Sequence, residues 1–132
     1  MLSRWFGKKP APLAGAPSVR RQKTYSAQSG YVYQYFYEGH RPSSAERGTE
    51  YVFDVTSDRK TSSQVSVVIS DTAVAKWQDE SGRTLSATEQ YAIAKMALFQ
   101  AFDERVSPDA MREAVHVAPG DVQAILAALH ID

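Results

Sequence analysis

The sequence holds no cysteine, which excludes disulfides, thiol nucleophiles, iron–sulfur clusters and every zinc site built on thiolate. No run of about 18 uncharged apolar residues occurs, so no membrane-spanning helix is expected, and the N-terminus lacks the apolar core of a secretory signal. The seven glycines are scattered. They therefore build neither G-x-G-x-x-G nor G-x-x-x-x-G-K-S/T, and no G-x-S-x-G elbow is present. His40, His116 and His130 are the only histidines, and none stands at the i, i+3 or i+4 spacing that lets two ligands share a helix face. No catalytic residue, metal or cofactor is assigned on this basis, and an enzyme of a common motif-bearing class is disfavoured.

What remains is ordinary globular material: 132 residues, 43% apolar and 23% charged, enough for a single hydrophobic core. The net charge of zero hides a division. Residues 1–23 carry Arg4, Lys8, Lys9, Arg20, Arg21 and Lys23 and no acid, which leaves nine basic against fifteen acidic residues for the rest. From Lys9 to Ser18 the chain has Pro10, Pro12, Gly15 and Pro17 among small residues, a composition expected to join neither a helix nor a ladder. The expected organisation is a flexible basic tail and linker over 1–22 and one domain over 23–132.

Within the tail, Trp5 and Phe6 stand amid Arg4, Lys8 and Lys9. This cluster is a candidate contact for an anionic membrane surface or another polyanion, and an acid-free leader is also compatible with a transit peptide. The bland reading is an ordinary tail. The expected location is the cytoplasm, with an organelle as the alternative if 1–22 is a targeting segment.

From Gly30 the chain alternates strictly, and the spacing predicts strands at 31–38, 50–56 and 63–70, with a short fourth at 24–28. Residues 39–48 read as a loop and 57–61 as a turn. Helical spacing follows from Asp71, taken as an N-cap, to Gly82. Ser86-Ala87-Thr88-Glu89 fits a capping box and opens the longest helix, to about residue 105. Ser107-Pro108 restarts a helix to about Val115, and Pro119-Gly120-Asp121 opens the last, closed near His130. Strands first and helices afterwards predict an α+β fold, an antiparallel three- to four-stranded meander followed by three to four helices on one face.

Alternation places Tyr31, Tyr33, Tyr35 and Tyr37 on one face of the first long strand. The row is expected to face the core opposite Tyr51, Phe53 and Val55, because the helices need an apolar surface to cover. The competing reading is an aromatic platform for a ligand or partner. On the other face Gln34, Glu38, Glu50 and Asp54, with His40 in the adjoining loop, are expected to form a solvated surface rather than an acid–base site. Residues 108–129 superficially match a helix-turn-helix. Their final helix has no lysine or arginine, and Asp109, Glu113 and Asp121 would repel DNA, so an αα-hairpin is expected and sequence-specific DNA is not the expected partner.

The function expected from these observations is a non-catalytic protein-interaction or adaptor domain with an unidentified protein partner. The alternative is a small-ligand-binding protein or motifless enzyme, with a pocket between sheet and helices near the tyrosine row.

Overall fold

The computed structural model describes residues 11–129; Arg4, Trp5, Phe6, Lys8, Lys9 and His130 lie outside the described residues. Four strands come first: β1 (Lys23–Ser26), β2 (Val32–Pro42), β3 (Gly48–Thr56) and β4 (Ser62–Ser70). Helices α1 (Asp71–Ser81) and α2 (Ala87–Glu104) follow, then a 3-10 turn (Pro108–Arg112), strand β5 (Val115–Val117) and helix α3 (Pro119–Ala128). The sheet runs β1-β2-β3-β4-β5 in chain order. Its first four strands are antiparallel neighbours, and β5 lies parallel to β4.

Period-two alternation builds the core directly. Tyr33, Tyr35, Phe53, Val55, Val65 and Val67 share one face of the sheet, and Trp77 of α1, Leu98 and Phe102 of α2, and Val122 and Ile125 of α3 close over it. The fold is thus α+β with its helices over a mostly antiparallel sheet. Each fully buried apolar side chain contributes about 1.5–3 kcal/mol, so α2, with Ile93, Leu98 and Phe102 wholly covered, is a large contributor to the core alongside the strands' Phe53, Val65 and Val67.

α2 begins where the capping box places it. Ser86 Oγ accepts from Glu89 N at 3.1 Å, and Glu89 Oε1 accepts from Ser86 N at 3.0 Å. For α1 the expected cap shifts by one residue: Ser70 is still extended and its Oγ accepts from Ala73 N at 3.1 Å, while Asp71 is the first helical residue. There its carboxylate faces the positive end of the helix dipole.

The segment after α2 departs from expectation. Residues 108–115 do not form an α-helix; one 3-10 turn gives way to β5, whose Val115 and Val117 are buried while His116 between them is exposed. Three residues are too few for periodicity to declare a strand, and the β-branched pair is captured by the free edge of β4. No αα-hairpin exists there.

The expectation that the proline-flanked stretch joins no ladder is corrected at one residue. Ala14 exchanges both backbone hydrogen bonds with His40, at 2.8 and 2.9 Å, so this proline-flanked stretch does join the sheet at one point. Arg20 then folds over the sheet's outer face. Its guanidinium stacks 3.7 Å from the centre of the Phe36 ring and donates to Glu38 Oε2 at 2.8 Å and Asp54 Oδ2 at 3.0 Å. That outer face is accordingly not an open carboxylate surface: Gln34 is buried, and Glu50 accepts from Arg41 at 2.9 Å and from Ser66 Oγ. Among the described residues no helix is long and apolar enough to cross a membrane.

Candidate functional site

β2 is longer than its alternation suggests, because it contains a bulge. Pairing with β3 runs Tyr37 to Phe53 and then Gly39 to Val52, leaving Glu38 as the extra residue. Gly39 makes this possible: its φ of 130° is open to glycine almost alone, and a Cβ there would lie 2.6 Å from the carbonyl oxygen of Ala14. In an unbroken strand His40 would point to the face opposite Tyr37. The bulge reverses that parity, so His40 pairs with Tyr51 and joins Tyr37 on the inner face, while Arg41 turns outward to Glu50.

The expectation that His40 lies in a loop beside the carboxylates is therefore corrected. Its imidazole Nδ1 stands 3.3 Å from the Tyr37 hydroxyl, and its ring centre lies 5.8 Å from that of Tyr51. Tyr91, from the second turn of α2, meets Tyr37 with ring centres 4.6 Å apart. Gly15, just past the Ala14 bridge, closes the group from the chain's N-terminal arm. It sits at a φ of 70°, so close that a Cβ would come within 2.7 Å of His40 Cε1.

Together these residues line a cleft of about 460 Å³ between the sheet and the start of α2, with Thr49, Ala87, Thr88 and Gln90 completing the wall. Among the described residues no carboxylate, lysine or arginine lines it. Burial pushes the Tyr37 phenol up to about 12, helped by the neighbouring Tyr51 and Tyr91 hydroxyls. Burial also raises Tyr51 and Tyr91 above their ordinary value. At neutral pH all three rings therefore keep their O–H and act as donors. Its described lining offers phenol hydroxyls, an imidazole, two threonines and an amide, groups that can hold and orient a ligand.

Of the tyrosine row, Tyr33 and Tyr35 are buried in the core, Tyr37 is half-buried at the cleft, and Tyr31 precedes β2 and is exposed. Tyr33 stacks on Phe102 with ring centres 4.1 Å apart, and Tyr35 meets Phe99 edge-on at 5.7 Å. Sequence reasoning does not assemble Gly15, His40, Tyr51 and Tyr91 into one site. Among the described residues no group of three histidines or carboxylates is placed to hold a metal ion. Compared with known proteins, the chain matches no family model, no curated protein and no solved structure.

Proposed function

We propose that this chain is a small-ligand-binding protein, and that its ligand enters the cleft between β2, β3 and the start of α2. The observation that carries the reading is convergence: Tyr37, Tyr51 and Tyr91 from three elements, and His40 delivered by a bulge, line one hollow. Its volume of about 460 Å³ falls in the range of small-molecule sites, roughly 300–1,000 Å³. Aromatic walls with a few polar groups between them are the usual composition of such sites.

A protein-interaction role draws less support. Among the described residues only Val19, Tyr31, Val32 and Val106 are large exposed hydrophobics, and of these only Tyr31 and Val32 adjoin in sequence. Scattered apolar residues need no partner to cover them.

The test is a screen of small polar and aromatic compounds by amide-resolved NMR of the full chain. Saturable shifts confined to Gly15, His40, Tyr51, Thr88 and Tyr91 are expected for the compounds that bind. Hits that map consistently to another surface, or a diverse screen with none at the cleft, would sink the reading.

A further inference from the structure

We propose a second binding site, separate from the cleft. A hollow on the β1 side of Tyr37 and Tyr91 takes a small organic anion, a carboxylate or phosphate on a flat apolar body, with Arg21, Lys23 and Lys95 holding its charge.

Strand pairing and helical spacing bring the three cations together. Lys23 opens β1 directly opposite Tyr35, and paired residues of neighbouring strands project from the same face, so it stands on the inner side of the sheet. Arg20 turns outward to Glu38 and Asp54, while Arg21, the next residue, lines the hollow. On α2, Tyr91, Lys95 and Phe99 recur at i, i+4 and i+8 and share one stripe. Tyr91 meets Tyr37 of β2, and Phe99 lies flat on Tyr25 of β1 with ring centres 4.3 Å apart. Lys95, between them, is thus laid over the pairing of β1 with β2.

The hollow measures about 330 Å³, within the range of small-molecule sites. Tyr35, Tyr37 and Tyr91 line it together with Pro17 and Val19 of the N-terminal arm, and among the described residues no carboxylate does. None of its three cations forms an ion pair with a described residue, whereas Arg20 and Arg41 each do. Asp103, two turns further along α2, is already taken by the Tyr25 hydroxyl at 2.8 Å and by Gln28 N at 2.9 Å.

After residue 23 the chain carries nine basic against fifteen acidic residues, so an acid-free hollow with three unpaired cations runs against its surroundings. Like charges gathered on one hollow raise one another's electrostatic cost, and an anion offsets it. Burial holds the Tyr35 and Tyr37 phenols up at about 12, so at neutral pH both are uncharged and do not repel one. Their rings, with Pro17 and Val19, give an apolar body something to lie against.

The full chain, isotopically labelled, is titrated by NMR to millimolar concentrations with benzoate, phenyl phosphate, benzyl alcohol and inorganic phosphate. The first two carry both ring and charge, and the others carry one each. Benzoate or phenyl phosphate is expected to shift the Lys23, Tyr35 and Lys95 amides saturably, and the tighter of the two identifies the head group. Benzyl alcohol and inorganic phosphate are expected to bind about fivefold more weakly or worse, and salt raised from about 0.01 to about 0.15 M is expected to weaken the anion severalfold. Lys23→Gln and Lys95→Gln are each expected to weaken it about two- to fivefold, the worth of one solvent-exposed ion pair, in a spectrum that otherwise matches the parent.

Equal affinity for benzyl alcohol and benzoate at this hollow would overturn the anion, and equal affinity for inorganic phosphate and phenyl phosphate would overturn the organic body. Unchanged affinity in both lysine variants would overturn the role of the cations. Anion shifts confined to Gly15, Tyr51 and Thr88 would overturn this site while supporting the cleft, and no shifts anywhere would overturn it as well. Neutral compounds failing at the cleft while anions bind at Lys23 and Lys95 would leave this site standing alone.

Discussion

Tyr33 and Tyr37 lie on the same face of β2, and α2 covers both, yet one is structural and the other lines a cleft. Tyr33 is wholly buried and lies flat on Phe102, with an interplanar angle of 9°. Tyr37 is half-buried, tilts 50° against Tyr91, and keeps its hydroxyl beside His40. The difference comes from the helix. Toward its C-terminus α2 offers Phe99 and Phe102, which pack without polar groups; toward its N-terminus it offers Tyr91, Thr88 and unpaired N–H groups. One alternating row of a single residue type is thus divided into core and site by what is laid across it.

The comparison breaks most sharply at Phe102. Phe102→Ala is expected to cost about 3–5 kcal/mol in denaturant titration, the range for emptying a large buried aromatic site. A loss near 0.5 kcal/mol, which is surface behaviour, would mean that the Tyr33 end is not the structural one. Alkaline unfolding comes next. The Tyr35 and Tyr37 phenols are each pushed by burial from 10.0 to about 12, so the folded state holds protons there that the unfolded chain gives up. Their contribution to stability is complete below pH 10.0 and is lost as the pH rises toward about 12. Tyrosinate absorbance followed alongside stability checks this, and ionisation of all the rings together near pH 10.0 would refute it.

Gly39→Ala tests the other end. It places a Cβ against the Ala14 carbonyl and demands a backbone conformation that costs an alanine about 1–3 kcal/mol. The expected result is that loss in stability together with a displaced His40 resonance. An undisturbed His40 would show that the bulge does not aim it.

How far the sequence discloses this arrangement depends on the range of each signal. The strands at the centre of the sheet, the capping box at Ser86 and the burial of Tyr33, Leu98 and Phe102 follow from local periodicity, which acts within a few residues. β5 does not, because three residues become a strand only when β4 offers them an edge. The cleft is legible in parts only. Gly39 carries the one local signal, a glycine inside a β-rich run that marks a bulge, but reading 39–48 as a loop takes it for an ending. Without the bulge His40 points the wrong way. Gly15 and Tyr91 are separated by 76 positions, and nothing local joins a proline-flanked linker to a helix across the sheet.

The smallest effects separate the two ends most finely, because they remove one oxygen and leave every ring in place. The Tyr33 hydroxyl is buried with no hydrogen-bond partner, so Tyr33→Phe removes an unsatisfied polar group and is expected to stabilise the protein by about 1 kcal/mol. At the cleft, Tyr37→Phe and Tyr51→Phe are expected to shift stability by less than about 0.5 kcal/mol. Among the described residues the Tyr37 hydroxyl has only the long 3.3 Å contact with His40 to lose, and the Tyr51 hydroxyl, unlike that of Tyr33, is not a buried oxygen lacking a partner. Thermal and denaturant midpoints of the three variants measure both signs. If Tyr33→Phe destabilised the fold instead, its hydroxyl would be satisfied after all, and the contrast between an unmet oxygen in the core and accessible ones at the cleft would fall.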